Sequence, residues 1–422
     1  MHLDAFFSGE VKPALGCTEP GAVALATSTG AKHLRGRPDK ISLRLSPNIY
    51  KNGVNVGVPN TGGLTGNSLA AALGVIAGDS TKGLQSLVDV KPEDVEEAKR
   101  LVATGTVAIE VVSGVPDVYI EATLTRGSCV VTVIISGRHD NIVEISVDGA
   151  VLMKKAQSQT TTGQESYVEE LLSQDMEGLW RIVGELNSDQ EAFMIAGAEM
   201  NMAAAEQGIE ASWGCGVGYH LGRLSPEDDL LWRVKAMAGA AADFRMGGGP
   251  NPIMSSSGSG NHGITAIIPV VAVAQKLGKS DRELSEAIAL SHIVTRYIKS
   301  YTGIITPMCG CAIAAGAGAT AAIVRLLDGT PKQAEVAIAN LIASVMGMVC
   351  DGGKGSCALK VSTAAGEVYT SALLAVSGGG VTDTQGLVKP DLKNIAEMLG
   401  VISREGFQSL DALILDVMRR QN

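Results

Sequence analysis

Aromatic residues are scarce in this chain: Phe, Trp and Tyr together make up 4% of 422 residues. The apolar bulk, 45% of the chain, is therefore mostly aliphatic, and 51 glycines accompany it. That mixture excludes a disordered chain and suits helices that approach closely through small residues. A basic surplus is also missing. The net charge is −10 and the pI about 5.2, which argues against a general nucleic-acid surface, because phosphate binding needs a positive field. Long apolar runs are absent as well. The best, Gly263–Ala274, is too short to cross a bilayer and contains Pro269, so it reads as a buried helix. Met1-His2-Leu3-Asp4 opens no basic-then-apolar signal, and a cytoplasmic location is expected. Cysteine is the informative minority. The seven (Cys17, Cys129, Cys215, Cys309, Cys311, Cys350 and Cys357) are odd in number in a long chain without an export signal. A disulfide framework is not expected, which leaves buried thiols, metal ligands or catalytic thiols.

The chain is long enough for two domains. Residues 1–37 read as helical, with the small-residue helix Gly21–Leu34 ended by Gly36-Arg37-Pro38. Residues 38–155 change character. Ile41–Leu45 alternates as a strand does, helices are expected at Gly66–Gly78 and Pro92–Thr104, and strands at 107–112, 118–125, 129–136 and 141–147. A polar linker is expected over 156–165, and nearly all of the rest reads as helix, ending in one long helix over 391–415. The expected fold class is α+β. A large all-helical domain (156–422) carries a smaller α/β domain (38–155) inserted after the first helix, and residues 1–37 pack on the helical domain.

Cys309 and Cys311 form a C-x-C at the start of a helix. Cys350 closes another helix, Asp351-Gly-Gly-Lys-Gly-Ser356 follows as a glycine-rich loop, and Cys357 opens the next. Helix ends can gather thiols at one point, and glycines let the backbone approach a bulky cofactor. Structural zinc spacing, C-x₂₋₄-C, does not occur. The bland alternative is four small buried hydrophobes in close-packed helices.

Gly16-Cys17-Thr18-Glu19-Pro20-Gly21 is a second signal. Thr18 can cap the following helix, Glu19 and Pro20 suit its first turn, and Cys17 then sits just outside a helix N-terminus, where a thiol becomes acidic and reactive. The alternative is a capping motif with an incidental cysteine. A third signal is the run Ser255-Ser-Ser257-Gly-Ser259-Gly260-Asn261-His262-Gly263, small residues at a helix start whose N–H groups would make an anion nest for a carboxylate or phosphate. No G-x₄-G-K-[ST] motif is present. Weaker candidates are Lys51, in a turn over 46–53, and Asn60-Thr61, a polar lip before a helix. Trp213–Gly218 is glycine-rich but has no nucleotide-binding frame. His292, inside an apolar helix, and Cys129, in a strand, read as core.

Together, Cys17-Thr-Glu-Pro20, the run at 257–263, Cys309-Gly-Cys311 and Cys350–Cys357 resemble the L-cysteine desulfidase family, which is related to the iron–sulfur L-serine dehydratases. The resemblance runs over nearly the whole chain. It implies a [4Fe–4S] cluster held by Cys350, Cys357 and either Cys309 or Cys311, and a catalytic cysteine at Cys17. It implies β-elimination of L-cysteine to pyruvate, ammonia and sulfide without pyridoxal phosphate. The expected site adds Glu19 and Lys51 as catalytic residues. Thr18, Asn60, Thr61, Ser257, Ser259, Gly260, Asn261 and His262 are expected to bind substrate. The expected partner is a small amino acid, L-cysteine or L-serine, with no nucleic acid or membrane, and close-packing helices suit a homodimer. Rival readings are an L-serine dehydratase, a non-catalytic iron–sulfur redox sensor or sulfur carrier, and a structural zinc protein.

Overall fold

The computed structural model describes residues 2–155, 162–226, 228–303, 305–407 and 409–421. Its strands are β1 (Pro13–Ala14), β2 (Lys40–Leu45), β3 (Val107–Val111), β4 (Tyr119–Arg126), β5 (Cys129–Ser136), β6 (Ile142–Val147), β7 (Ala150–Lys154) and β8 (Ile253–Met254). Six of them form one sheet in the order β3-β2-β4-β5-β6-β7, and β1 pairs with β8 in a second. Only β2 and β3 run parallel. The chain between them carries the helices Asn67–Ile76 and Pro92–Ala103, the crossover that a parallel pair requires.

Along β2 the burial alternates, with Ile41, Leu43 and Leu45 inward and Lys40 and Arg44 outward. A sheet with one apolar face needs a cover. The helix Thr18–His33 supplies it: Ala22, Val23, Leu25 and Ala26 join Ile41, Leu43, Leu45, Leu124 and Val133 in one core. This differs from the expected placement of all of residues 1–37 against the helices. The helix Leu3–Glu10 does lie there, with Leu3, Phe6 and Phe7 among Tyr167 and Leu171, but Thr18–His33 belongs with the sheet.

The α+β architecture holds, with a helical region much the larger part. Its centre is Gly260–Leu277, buried throughout residues 260–274. Leu230–Met246, Asp281–Thr302, Gly316–Leu326 and Cys357–Val376 surround it. Alanines such as Ala238, Ala240, Ala241 and Ala242 fill these crossings, which is how a chain so poor in aromatics closes its core. Of the expected linker, residues 156–161 lie outside the described residues, and residues 162 onward open the helix Thr162–Leu172. The single helix expected over 391–415 is instead Leu392–Val401, a π turn at Ile402–Gly406 and a last helix, Leu410–Gln421. The turn expected at 46–53 is a short helix, Pro47–Gly53, whose N-terminus Ser46 caps. Among the described residues no helix is long and apolar enough to cross a membrane.

Candidate active site

Four cysteines converge at one buried place. An antiparallel bridge between Met308 and Val349 brings the two cysteine segments together: Cys309 N donates to Met348 O, and Cys350 N donates to Pro307 O, both at 2.7 Å. Cys311 opens a π turn, Cys311–Ala315, ahead of the helix Gly316–Leu326, and Cys357 heads the helix Cys357–Val376. The thiols sense one another. A hydrogen bond from Cys311 brings Cys309 down to about 7 against the effect of burial. The same bond, burial and the neighbouring thiolates push Cys311 well up. Burial raises Cys350 to about 11 and raises Cys357 as well.

The glycine loop lies directly on the helix Pro47–Gly53. Gly352 has φ +97°, and a Cβ there would meet Lys51 O at 2.4 Å. A Cβ on Gly353 would meet Asn52 O at 2.5 Å. Both obstacles are backbone and cannot swing aside. Gly352→Ala is therefore expected to cost about 2–4 kcal/mol, from overpacking and left-handed strain together, read as a fall in the urea midpoint. Asp351 holds the loop through Lys354 at 2.5 Å and through Lys360. Lys51 is wholly buried and its ammonium is committed to Asp411 of the last helix, yet its charge still reaches Cys350 and favours the thiolate there. Lys51 thus supports the cysteine loop.

Cys17, rather than Thr18, is the N-cap residue of Thr18–His33. A helix start favours thiolate, but two stronger effects oppose it here. Burial and the adjacent Glu19 carboxylate push the Cys17 thiol well up, only partly offset by Arg245. Cys17 Sγ donates to Glu19 Oε2 at 2.9 Å, and Thr18 Oγ1 donates to the same oxygen at 3.0 Å. Glu19 Oε1 accepts from Asn52 Nδ2 at 3.1 Å and lies 3.7 Å from His139 Nε2. Burial alone would raise the Glu19 carboxyl, but His139 and the donors around it hold it far below the usual carboxylate range. A carboxyl depressed on folding stabilises the protein above its unfolded pKa, and that stability is lost as pH falls. Wild type should therefore lose about 1.4 kcal/mol per pH unit below about pH 4 through this group, and Glu19→Gln should lack that component. Urea unfolding at pH 6 and pH 3.5 measures it.

The serine loop has fewer free main-chain donors than the expected nest. The N–H groups of Ser255, Ser256, Ser257 and Ser259 are already spent on Lys12 O, Ser259 O, Glu10 O and Ser256 O. The β1–β8 pairing ties this loop to the N-terminal segment, where Ser255 N and Ser257 N bond Lys12 O and Glu10 O, while Ser256 and Ser259 bond each other. What the loop offers instead is side chains. Asn261 Oδ1 accepts from Arg245 Nη1 at 3.0 Å, and Arg245 lies so close over Gly260 that a Cβ there would meet Nε at 2.2 Å. His262 is buried beside the cysteine pair: a Cβ on Gly310 would meet its Nε2 at 2.5 Å. Burial, then Lys299 and Arg245, keep His262 neutral by driving its pKa well below the ordinary value. His292 is a satisfied core histidine, its Nδ1 2.9 Å from Ser256 Oγ, and Cys129 is half-buried against the sheet core.

An open cleft of about 1380 Å³ separates the sheet from this loop. Thr18, His139, Ser257 and Lys299 line it. The structure thus brings together Cys17, Thr18, Glu19, Ser257, Gly260, Asn261, His262 and the four late cysteines. Ser259 serves as the cap position of Gly260–Leu277 without a side-chain bond. Asn60 and Thr61 are not in the group. Their side chains bond main-chain oxygens of Leu87, Val88, Val58 and Leu64, because Asn60 is held at φ +62° in a loop that needs internal partners. His139, Asn52, Arg245 and Lys299 belong to the site although the sequence reading did not select them.

Among the described residues no three His, Cys, Asp or Glu side chains stand at the spacing of one metal ion. A cluster of several irons spreads its thiolates more widely than a single ion does. Four soft thiols beside a glycine loop, Cys309 buried and Cys311, Cys350 and Cys357 half-buried, fit that donor set.

The fold and site define a helical protein with a sheet-bearing unit, a buried group of cysteines and a polar cleft leading towards it. The family described as serine dehydratase alpha chain matches residues 81–416, and the chain belongs to it, an iron–sulfur dehydratase-like family. A UPF0597 protein of Nitratidesulfovibrio vulgaris (strain DP4) is 49% identical, over 99% of each chain. A UPF0597 protein of Desulfatibacillum aliphaticivorans is 38% identical over 97% of this chain and 96% of that one, and another from Clostridium botulinum (strain Loch Maree / Type A3) is 38% identical over 97% and 94%.

Proposed function

We propose that this protein eliminates the β-substituent of a small L-amino acid with the aid of a [4Fe–4S] cluster, and that L-cysteine is its substrate. The observation that carries the reading is the shared floor of the cleft: Thr18, His139, Ser257 and Lys299 line it, and Cys17 and Glu19 stand directly behind Thr18 and His139. Cys350, Cys357 and Cys309 would hold the cluster, with Cys311 donating to Cys309 as it does already. When bound, the cluster supplies a Lewis-acidic iron for the departing sulfur or hydroxyl.

The chain's own residues handle protons and orientation. Cys17 holds a proton on Sγ and donates it to Glu19 Oε2. Glu19 stays a carboxylate and orients the Sγ–H, and Cys17, once deprotonated to thiolate, is the group placed to take the substrate's α-proton. His139, beside Glu19 Oε1 and on the cleft, keeps Glu19 in that ionised form. Loss of the α-proton and of the β-substituent leaves aminoacrylate, which hydrolyses to pyruvate and ammonia. A cytoplasmic homodimer acting on free amino acid is part of the same proposal.

The second reading, L-serine dehydratase, is favoured by the description of the matching family. Anaerobic assay of the iron- and sulfide-reconstituted protein separates the two. Pyruvate and sulfide in equal amounts from L-cysteine support the first, pyruvate from L-serine alone supports the second, and neither product removes both.

A further inference from the structure

Lys299 sits at the floor of the cleft, 4% exposed, on the helix Asp281–Thr302. A buried ammonium ordinarily has a carboxylate partner. Among the described residues Lys299 has none within ion-pair distance. The acidic residue whose charge acts on it most, Glu10, is already engaged by Arg296 at 3.1 Å and by the Tyr167 hydroxyl at 2.8 Å. Lys299 Nζ donates to Ser257 O at 2.5 Å and lies 3.4 Å from His262 Nδ1. An ammonium carries three donors, so one remains unspent.

The neighbouring serine is an independent observation. Ser257 Oγ is buried and has no hydrogen-bond partner, and its residue is held at φ +46°, a backbone region that non-glycine residues rarely adopt. An orphaned buried hydroxyl is costly unless a ligand satisfies it. His139 Nε2, across the same floor, is likewise buried without a hydrogen-bond partner. The main-chain N–H groups of Ser255, Ser256, Ser257 and Ser259 are spent on backbone oxygens and are not available to an anion.

We propose that Lys299 and Ser257 form the seat for the α-carboxylate of the amino-acid substrate, Lys299 supplying the charge and Ser257 a hydroxyl donor. The choice of an amino acid as ligand rests on the elimination reading above. Seated there, the substrate's carboxylate is fixed on the helical side of the cleft, and its α-carbon is turned towards the side where Thr18 and His139 lie. Lys299 then positions substrate and takes no part in bond breaking.

The test is binding of L-alanine, which has no leaving group, beside L-alaninamide, which has no carboxylate, by calorimetric titration of the reconstituted protein. Wild type should bind L-alanine at least about tenfold more tightly, the usual value of a charge-assisted contact. Lys299→Met should weaken L-alanine by about 10–100-fold and leave L-alaninamide nearly unchanged, and Lys299→Arg should restore part of the loss. Ser257→Ala, which removes an unpartnered hydroxyl and so should fold normally, should weaken L-alanine by about 2–10-fold. Lys299→Met protein that binds L-alanine as wild type does, or wild type that does not distinguish the two ligands, overturns the seat. Wild type that discriminates through Lys299 but turns over neither cysteine nor serine keeps the seat and removes the elimination reading. Turnover with an unchanged KM in Lys299→Met does the reverse.

Discussion

Cys17→Ala protein is expected to retain wild-type iron and to turn over about 10²–10⁴-fold more slowly, the range for loss of a positioned acid–base group. Cys17 lies among Val56, Met246 and Cys357, close enough to the cysteine loop that a ligand role must be separated from a proton role. Iron content makes that separation. Its hydrogen bond to Glu19 also fixes what the substitution leaves behind: a carboxylate still held by Thr18 and Asn52, so the fold should persist. Loss of iron with activity in Cys17→Ala would move this residue into the ligand set. Full activity would remove it from the mechanism.

Cys350→Ala should lose both iron and turnover, the latter by more than about 100-fold, since even outer partners of metal ligands are commonly worth 10–100-fold. The neighbouring Cys311 should respond differently from Cys309 if one donates and the other ligates. Cys311→Ala is expected to keep part of the iron, and Cys309→Ala to keep none. Iron and acid-labile sulfide measured on anaerobically prepared protein check all three.

The cysteine loop was legible because its parts are local. Cys350, the glycines and Cys357 lie in eight consecutive residues that end at a helix start, and glycine in such a place announces a close approach. The bridge that sets Cys309 beside Cys350 was not, since Met308 and Val349 carry no strand pattern and pair through two residues alone. The two-residue strands β1 and β8 were invisible for the same reason, and they set the register in which Ser255 N and Ser257 N are spent on the N-terminal segment. Lys299 left one readable trace. It follows His292 by seven residues, two helical turns, and so shares its buried face in a helix that is apolar there. His139 left none, because a histidine in the polar turn between two strands looks like any surface residue until the sheet is placed against the serine loop. Lys51 showed the converse. A lysine in a turn of polar residues suggested exposure and reach, and packing by the last helix instead buried it on Asp411, 360 residues away in sequence.

The central claim is that this chain performs an elimination that depends on a cysteine-held cluster. The most direct measurement is pyruvate formation from L-cysteine, made anaerobically over a series of preparations with increasing bound iron and sulfide. The account predicts turnover in proportion to cluster content, sulfide released one for one with pyruvate, and loss of both in Cys350→Ala. Turnover by iron-free protein, or a fully loaded protein that forms no pyruvate from either L-cysteine or L-serine, would contradict it.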